Sequence, residues 1–443
     1  MTENEHPLVS VIIPYYNGRK FIREAVESII NQTYTNIEIV VVDDASPNKD
    51  DAEYIHELSN EFGFKLLVHS SNKGVAHTKA DAFEASSGEF IAELAQDDFY
   101  KSPKIEKQLH KLITEQLDAV YAPGDIMYQA TGKIEKRNIT RTKMIIDAGN
   151  AADALMRQNL NGISIQGLLV KRSVCEKEII PVLRDYLLDD WPVHIRLFER
   201  CQVGFIEDTL WTKRSHTANT SLNIWKWFGP QIEVVARMPP LNLKAEAIGN
   251  RLASMARRLQ KQQDKTQDII RFALAGLMLV DSSEQQKKVS RVLNKTLYRE
   301  LKLFIGEKSR LLKEISDKLN TKKEFHKIGN ISWDNLGKEI DNIVNNYQGR
   351  ERLDYIAEKF LSLGTCIISE SPENAVKMAL ASLVLTSNQQ DEKQAMAFIE
   401  SIKNKQIRNI IDIKNIALKT QSRLNIKHFF HLLKIFSYNL SHG

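Results

Sequence analysis

Apolar residues in the first half of the chain occur in short runs that alternate with segments of helical periodicity. Four such runs, each bounded by turn residues, predict buried strands at Val9 to Ile13, Ile37 to Val42, Phe64 to Val68 and Phe90 to Leu94. Apolar positions of period 3.6 predict helices over residues 21–30 and 75–85. This alternation is typical of βαβ units, so we predict an α/β domain whose mostly parallel, Rossmann-like sheet is flanked by helices.

The pattern changes near Ala236, where strand-like runs become rare. Amphipathic stretches then predict helices at Leu252 to Leu259, Val289 to Ile305, Ala375 to Leu385 and Ile426 to Tyr438. Pro239-Pro240 is the expected linker. We therefore predict two domains, an α/β domain over residues 1–230 and an all-α domain over residues 231–443.

Charge is distributed unevenly between these two parts. The whole chain has a formal net charge of +5, but residues 231–443 contain 35 Lys and Arg against 23 Asp and Glu, whereas residues 1–230 contain 26 against 33. A basic domain behind an acidic one suggests an anionic partner such as a membrane surface, a lipid-linked phosphate, an acidic glycan or nucleic acid. A solvated lysine-rich helical surface explains the same numbers equally well.

Cysteine usage and hydropathy indicate a cytoplasmic protein. Cys175, Cys201 and Cys366 are odd in number, widely spaced and without a Cys-x-x-Cys pair, so they predict neither a disulfide framework nor a zinc site. No apolar run approaches the roughly 18 to 20 residues of a membrane-spanning helix, and the polar N-terminus does not resemble a signal peptide. The segment Asn425 to Phe436 suits either an interfacial membrane helix, which implies peripheral contact with the inner face of the cell membrane, or a packing helix in a core or oligomer interface; its narrow polar face favours packing.

Acidic residues follow two of the predicted strands. Asp43-Asp44 come after the second strand, and Gln96-Asp97-Asp98 come after the fourth. Ligands of open α/β sheets bind beyond the carboxyl ends of strands. We therefore expect the functional site at this edge of the sheet.

Several motifs in sequence order resemble the family 2 inverting glycosyltransferases of GT-A fold. The similarity covers residues 7–225 and is carried by Val9-Ser10-Val11-Ile12-Ile13-Pro14-Tyr15-Tyr16-Asn17, Ser28-Ile29-Ile30-Asn31-Gln32-Thr33, Val42-Asp43-Asp44-Ala45-Ser46, Asn72-Lys73-Gly74-Val75 and Ser87-Gly88-Glu89-Phe90-Ile91-Ala92. Each piece alone is a weak signal, but the ordered set is specific. The resemblance implies transfer of a sugar from a nucleotide-diphospho-sugar donor.

The resemblance assigns a group of residues to the nucleotide. Asp43 and Asp44 are expected to bind the nucleoside, and Pro14 and Tyr15 to lie against the base. Lys79 stands where the family often has an arginine near the diphosphate, and Gln96 is placed in the same pocket. Without the resemblance, the two aspartates would be interpreted as turn or helix-capping residues and Lys79 as an exposed helical lysine.

The metal motif departs from the family pattern. Members usually read Asp-x-Asp-Asp, whereas this chain has Ala95-Gln96-Asp97-Asp98, so the first carboxylate is missing. Asp97 corresponds to the main metal ligand, and Mn²⁺ or Mg²⁺ needs only one or two protein carboxylates when substrate phosphates supply other oxygens.

A later segment, Trp211 to Ser221, resembles the family's Arg-x-His segment. His216 is accordingly a candidate second metal ligand, and Arg214 a candidate for neutralising phosphate charge; a basic surface loop is the alternative.

The segment Leu187 to Leu197 resembles the family's Glu-Asp-Trp motif at the head of a helix. Asp190 is the implied general base, and Asp189 and Trp191 are candidates for acceptor binding. Helix capping by Asp189, a favourable position of Asp190 at the helix dipole and a core position for Trp191 remain open alternatives.

Together these features predict an inverting, metal-dependent glycosyltransferase. The resemblance implies a uridine nucleotide donor and a hydroxyl acceptor on a cell-surface glycan such as a capsule, lipopolysaccharide or exopolysaccharide, free or lipid-linked. The helical half is assigned to acceptor recruitment, membrane association or homo-oligomerisation, and not to nucleic acid, because it lacks aromatics interleaved with basic residues. The alternative is a non-catalytic nucleotide-sugar-binding protein that lost the first metal aspartate at Ala95.

Overall fold

The computed structural model describes residues 6–156, 163–217, 219, 223–262, 266–281, 286, 307–308, 310, 331–401, 410–411 and 414. The chain divides into two compact units, Met1–Leu222 and Asn223–Gly443. This division lies ahead of the helix that begins at Phe228, whereas Pro239-Pro240, the expected linker, lies between two helices of the second unit.

The first unit alternates strands and helices in the order that the apolar pattern predicts. Its strands are β1 Val9–Tyr15, β2 Ile37–Asp43, β3 Lys65–Val68, β4 Phe90–Glu93, β5 Phe99–Tyr100, β6 Ala119–Tyr121, β7 Gly124–Tyr128, β8 Ile134–Glu135, β9 Leu168–Lys171, β10 Val203–Phe205 and β11 Trp211–Ser215. Its helices are α1 Ile22–Ile30, α2 Lys49–Phe62, α3 Val75–Ala85, α4 Lys104–Thr114, α5 Thr140–Asp147, α6 Ala151–Met156, α7 Arg172–Val174, α8 Ile180–Asp185 and α9 Trp191–Arg200, with a π-helical turn at Cys175–Ile179 joining α7 to α8.

Seven strands form the main sheet in the order β10-β6-β9-β4-β1-β2-β3. Four of its six strand pairs are parallel, and β9 is antiparallel to both of its neighbours. The burial of β1 and of the second half of β2 explains why these strands read as apolar runs. The prediction of a mostly parallel α/β sheet flanked by helices and followed by a helical region is confirmed.

The register of this sheet places the ends of β1, β2 and β4 at the same edge. Tyr15 at the end of β1 pairs with Asp43 at the end of β2, and Ile12 of β1 pairs with Glu93 at the end of β4. Because these three strands are parallel, the loops that follow them emerge on the same side. The acidic residues after β2 and β4 therefore lie at one edge of the sheet.

A second sheet of four short strands, in the order β5-β11-β7-β8, joins two distant parts of the chain at that edge. β11 runs antiparallel to β5, with Trp211 opposite Tyr100 and Thr212 opposite Phe99. β5 begins directly after Asp97 and Asp98. The segment that follows β11 is thus brought beside the acidic end of β4. The four strands of this sheet lack the apolar runs that mark β1 to β4, so the sequence pattern does not predict them.

The described part of the second unit is helical. Its helices are α10 Phe228–Arg237, α11 Leu241–Lys261, α12 Thr266–Leu279, α13 Trp333–Asn346, α14 Gly349–Ile367, α15 Pro372–Leu385 and α16 Gln389–Ser401. The predicted helices Leu252 to Leu259 and Ala375 to Leu385 fall within α11 and α15. Those predicted at Val289 to Ile305 and Ile426 to Tyr438, and the segment Asn425 to Phe436, lie outside the described residues. Among the helices that are described, none is both long and apolar enough to cross a membrane.

Candidate functional site

Tyr15 ends β1 with its side chain in the core of the sheet domain. The ring is 1% exposed, and its hydroxyl lies 3.2 Å from both the backbone oxygen and Oδ1 of Asp51. Burial, reinforced by the Asp51 carboxylate, raises the pKa of this hydroxyl. The ring is therefore not available to a nucleotide base, in contrast to the expectation from sequence. The next residue, Tyr16, is 42% exposed at the same edge.

Asp43 closes β2 and fastens the loop behind it. Its Oδ1 accepts hydrogen bonds from the backbone nitrogen of Ser46 at 3.0 Å and from its hydroxyl at 2.6 Å. The Ser46 Oγ in turn accepts the backbone N–H of Asn17 at 2.9 Å. Asn17 and Ala45 both have left-handed backbone conformations, with φ of 49° and 56°. Such residues cost about 1 to 3 kcal/mol each and are concentrated at ligand sites, so this edge stores strain where a ligand is expected.

Asp44 joins the end of β2 to the loop that precedes α3. Its carboxylate accepts the backbone N–H groups of Lys73 at 2.7 Å and Gly74 at 2.9 Å, and its Oδ1 lies 2.9 Å from Nδ1 of His69. Its backbone nitrogen donates to the carbonyl of Tyr15 at 2.9 Å. The aspartate thus positions the loops on both sides of β2, which is the role that a turn or capping residue would have.

Gln96 links the end of β4 to the loop after β1. Its Oε1 accepts the backbone N–H of Tyr16 at 2.8 Å, while its Nε2 donates to the Tyr16 carbonyl at 3.0 Å. Both ends of the amide are therefore hydrogen-bonded to the backbone of one residue, Tyr16. Gln96 fixes the position of the exposed Tyr16 relative to Asp97.

Asp97 and His216, the two predicted metal ligands, lie side by side although they are 119 residues apart. Oδ2 of Asp97 is 2.9 Å from Nε2 of His216, with side chains 24% and 12% exposed. The His216 ring also packs against Phe21, with ring centroids 4.6 Å apart. Asn219 completes the group, because its Nδ2 lies 3.1 Å from each of the two metal-ligand candidates.

These side chains fit a hard divalent cation only in part. Within the described residues there is no cluster of three or more His, Cys, Asp and Glu side chains suited to a metal ion. Asp97 and His216 offer one carboxylate oxygen and one imidazole nitrogen close enough to share a cation. Phosphate oxygens of a substrate would have to supply further ligands.

Asp98 and Arg214 hold the end of β11 against the end of β4. The buried Asp98 accepts the backbone N–H of Arg214 at 2.9 Å, and burial, with the nearby charge of Asp97, raises its pKa to about 7. The guanidinium of Arg214 donates to the Asp97 carbonyl at 3.0 Å, to Gln129 at 2.5 Å and to Glu24 at 2.5 Å. These contacts bury Arg214 and use its guanidinium to connect separate loops. This role differs from the predicted one, which was a free cation that binds phosphate.

Lys79 also has a position different from the predicted one. Its ammonium is buried between two carboxylates, in an ion pair with Oε1 of Glu93 and 2.5 Å from Oδ2 of Asp189. Although burial opposes the charged form, these two acids raise the pKa of Lys79. The lysine is therefore an internal counter-ion of the acidic segment before α9 and does not extend toward a diphosphate.

Asp190 stands at the N-terminus of α9, where its Oδ1 accepts the backbone N–H of Trp191 at 2.5 Å. Burial raises the pKa of Asp190 to about 6, and the Asp189 charge adds to this effect while Lys79 opposes it. A carboxylate with a pKa close to neutrality suits a general base. Trp191 is half-buried, and its indole N–H donates to the carbonyl of Leu155 at 3.1 Å. Trp191 thus anchors α9 to α6.

Four functional-site neighbours were not anticipated from sequence, namely Glu93, Tyr121, His194 and Asn219. Burial raises the pKa of Glu93 to about 7, because desolvation outweighs the attraction of Lys79 and the charges of Asp189 and Asp190 act in the same direction. The Tyr121 hydroxyl lies 2.6 Å from Nδ1 of His194, one turn into α9. Burial lowers the pKa of His194 to about 3, so this imidazole is neutral. Polar residues inside apolar runs were the available signal for Glu93 and His194.

Comparison with known proteins identifies the family to which the chain is similar. The sequence pattern of the family described as Glycosyl transferase family 2 matches residues 10–177. The uncharacterized glycosyltransferase RT0329 of Rickettsia typhi is 30% identical over 236 residues, which cover 50% of this chain and 70% of that protein. The putative teichuronic acid biosynthesis glycosyltransferase TuaG of Bacillus subtilis is 31% identical over 135 residues, which cover 30% of this chain and 53% of that protein.

Among solved structures, the chain is similar to residues 1–349 of TarS from S. aureus, crystallised in complex with UDP-GlcNAc. The sequence identity is 14%, the TM-score is 0.43, and the match covers 66% of this chain and 84% of that one. The family pattern falls on the first half of the chain, and the chain spans only about half the length of some relatives.

Proposed function

The chain belongs to glycosyltransferase family 2, and we propose that it transfers a sugar, with inversion, from a UDP-sugar to a hydroxyl of a cell-surface glycan. The observation that carries the proposal is the position of Asp190, a carboxylate of raised pKa at the head of α9, in the domain whose β4 strand also leads to Asp97. The first supplies a base, and the second would bind the leaving diphosphate through a divalent cation. An inverting displacement requires such a base on the acceptor side and positive charge on the leaving side.

On the donor side, we assign the diphosphate to the Asp97 and His216 pair together with Mn²⁺ or Mg²⁺. The cation would neutralise negative charge on the leaving UDP. Asp97 contributes a carboxylate oxygen and His216 an imidazole nitrogen, 2.9 Å apart. Asp98 and Arg214 keep this pair in position by tying β11 to β4, and they do so through hydrogen bonds to backbone atoms that no ligand needs to displace.

For the nucleoside, we assign the edge formed by Pro14, Asp43 and Asp44. Both aspartates are buried at the carboxyl end of β2, and Asn17 and Ala45 beside them hold strained backbone conformations. The exposed ring of Tyr16, fixed by Gln96, replaces the ring of Tyr15 as the aromatic surface closest in sequence to the base site.

On the acceptor side, Asp190 removes the proton of the attacking hydroxyl. Its pKa of about 6 leaves it ionised at neutral pH but still basic enough to accept that proton. Asp189 is held by Lys79 and so fixes the turn before α9. Trp191 has its N–H engaged by Leu155, and we assign the accessible part of its ring to contact with the acceptor.

The setting of the reaction follows from relatives and composition. The similarity to a protein named for teichuronic acid biosynthesis supports a glycan of the cell envelope as acceptor. Sugar nucleotides and reduced cysteines suit the cytoplasm, and Cys175, Cys201 and Cys366 are thiols that take part in no disulfide among the described residues. We therefore assign the protein to the cytoplasm, at the inner face of the membrane.

The helical unit is assigned to an anionic acceptor or to a membrane surface, with homo-oligomerisation as a further role. Its α11 helix carries Arg251, Arg257 and Arg258, and Arg251 is only 6% exposed. Burial and the two neighbouring arginines lower the pKa of Arg251 to about 9, and no described residue accepts a hydrogen bond from its Nε. A buried guanidinium without a counter-ion is unfavourable, and an anion would compensate it.

A specific observation keeps a second function in view. Ala95 replaces a metal-binding carboxylate, and a domain with weakened metal binding could retain nucleotide-sugar recognition without transfer. The near-neutral pKa of Asp190 favours the catalytic role, because a pure binding protein has no need of a base at the acceptor side.

Isothermal titration of the full chain with UDP, with and without Mn²⁺, tests the donor site. We expect metal-dependent binding that Asp97→Ala abolishes and that Asp208→Ala, an exposed aspartate paired with Lys107, leaves unchanged. Absence of UDP binding under either condition would reject the UDP-sugar proposal. Hydrolysis of UDP-sugars without acceptor then separates the transferase from the binding protein, because only the former releases UDP.

A further inference from the structure

Asn219 lies against both candidate metal ligands. Its Nδ2 is 3.1 Å from Oδ2 of Asp97 and 3.1 Å from Nε2 of His216. Asp97 and His216 are themselves 2.9 Å apart. The three side-chain atoms therefore form a nearly equilateral triangle with polar corners.

The dimensions of this triangle match one face of an octahedron around a small cation. Ligands at about 2.1 Å from an octahedral metal, at right angles to each other, are separated by about 3.0 Å. The three separations measured here, 2.9, 3.1 and 3.1 Å, agree with that spacing. A carboxylate, an imidazole and an amide on one face leave the opposite face to phosphate oxygens and water.

The orientation of the amide determines whether it can bind a cation. Asn219 Oδ1 accepts the backbone N–H of His216 at 2.6 Å, so Nδ2 is the atom that faces Asp97. Half a turn about the terminal side-chain bond exchanges the two amide atoms without moving the rest of the residue. The oxygen would then occupy the third corner, at the cost of the hydrogen bond to the His216 N–H.

We propose that Asn219 is a third protein ligand of the divalent cation, which binds through its amide oxygen and compensates for Ala95. This proposal rests on the proposed function, because it requires the Asp97 and His216 metal site. Cation binding would hold His216 and Asn219, which follow β11, at the donor diphosphate.

A purely structural role for Asn219 makes a different prediction. The residue also lies 3.3 Å from the carbonyl of Arg214, and it could simply brace its own loop. Bracing uses the amide N–H that donates to the Arg214 carbonyl, which Asn219→Asp removes, together with Oδ1, which accepts the His216 N–H and which the variant keeps. Ligation requires only an oxygen, which Asn219→Asp keeps and makes negative. The aspartate variant therefore distinguishes the two roles.

The test measures Mn²⁺ affinity in the presence of UDP by the loss of the free-ion paramagnetic resonance signal. The wild type is compared with Asn219→Ala, Asn219→Asp and Asn345→Ala, an exposed asparagine of the helical unit whose side chain donates a hydrogen bond to Asp341. We expect Asn219→Ala to weaken Mn²⁺ binding by at least about tenfold, and Asn219→Asp to bind as tightly as the wild type or more tightly.

Thermal unfolding supplies a second measurement that does not depend on turnover. In EDTA, Asn219→Asp places a carboxylate beside Asp97 and lowers the melting temperature, and Mn²⁺ with UDP raises it by more than in the wild type. Wild-type affinity in Asn219→Ala, or loss of affinity in Asn219→Asp, would overturn the ligand role while leaving the proposed function intact. If the wild type itself bound no Mn²⁺ with UDP, the metal site of the proposed function would fail as well.

Discussion

The ammonium group of Lys79 lies 2.5 Å from the carboxylate of Asp189, the residue directly before the candidate base. The same ammonium pairs with Glu93 at the end of β4. A single buried cation thus connects α3, β4 and the turn that leads into α9. The position of Asp190 depends on this connection, because its neighbour in the chain is held by it.

Replacing Lys79 by methionine should destabilise the sheet domain strongly. The change leaves Glu93 and Asp189 buried without their counter-ion, and breaking a buried pair by removing one partner costs about 3 to 5 kcal/mol. Urea unfolding, followed through the transition of the first unit, would measure the loss in its free energy of unfolding. Lys107→Met, which removes an exposed pair with Asp208, is the matched control and should change stability by less than about 1 kcal/mol. Equal losses in the free energy of unfolding would show that the buried ion pairs of Lys79 stabilise the domain no more than the exposed pair of Lys107 does.

Glu93→Gln should change how stability depends on pH. The folded pKa of Glu93 is raised to about 7 from 4.5, so the folded state binds the proton more tightly than the unfolded state. The free energy of unfolding is therefore highest below pH 4.5 and decreases as the pH rises toward 7, by roughly 3 kcal/mol for this group alone. Glu93→Gln has no titrating carboxyl at this position, so it lacks this contribution to the pH dependence of stability.

Denaturant unfolding between pH 4.5 and 8 provides the measurement. The loss of stability with rising pH should be smaller in Glu93→Gln than in the wild type. Glu89→Gln, on the residue before β4, should follow the wild-type curve. An unchanged slope in Glu93→Gln would mean that Glu93 is ionised throughout.

Asp190→Asn should abolish transfer while sparing donor binding. The amide retains the shape of the side chain but cannot accept the proton of the acceptor hydroxyl, and loss of a general base typically costs 10²- to 10⁴-fold in rate, on the order of 10³. Release of UDP from the UDP-sugar identified by titration gives the rate, and the UDP affinity gives the control. In the wild type, the rate should rise with pH through about 6 as Asp190 loses its proton. Full activity of Asp190→Asn would exclude Asp190 as the base.

Tyr15→Phe should lower stability without changing nucleotide affinity. The substitution removes the hydroxyl that contacts Asp51 and keeps the buried ring, so we expect a loss of about 1 kcal/mol and an unchanged dissociation constant for UDP. Tyr16→Ala is the comparison, because it removes an exposed ring at the same edge. Weaker UDP binding in Tyr15→Phe would restore Tyr15 to the nucleotide site.

Sequence alone predicts the order of elements around the site but not which of its residues are buried. The four apolar runs correspond to β1, β2, β3 and β4, and the ordered motifs placed Asp97 near His216 across a long stretch of chain. The motifs carry no information on burial, so Lys79 and Arg214 were interpreted as ligand-binding cations. Both side chains instead bind carboxylate and carbonyl groups of the protein itself.

The helical and strand periodicity of the sequence does indicate the burial of Lys79 and Glu93. Lys79 lies on the same face of α3 as the buried Ala76, Ala80 and Phe83, and Glu93 lies inside the apolar run of β4. Opposite charges on the buried faces of neighbouring elements are a signal for an internal ion pair. Asn219 gave no comparable signal, because its position depends on how β11 pairs with β5, and strands this short leave no periodic trace.

The pairing of Tyr100 with Trp211 means that the chain leaves the donor edge and returns to it at the same point. The residues between them, including α6 and α9 on the acceptor side, form one long stretch of chain that begins and ends at the same strand pair. Substitutions in its outer turns can therefore suit a new acceptor while the two ends, and the donor site that they hold, keep their positions.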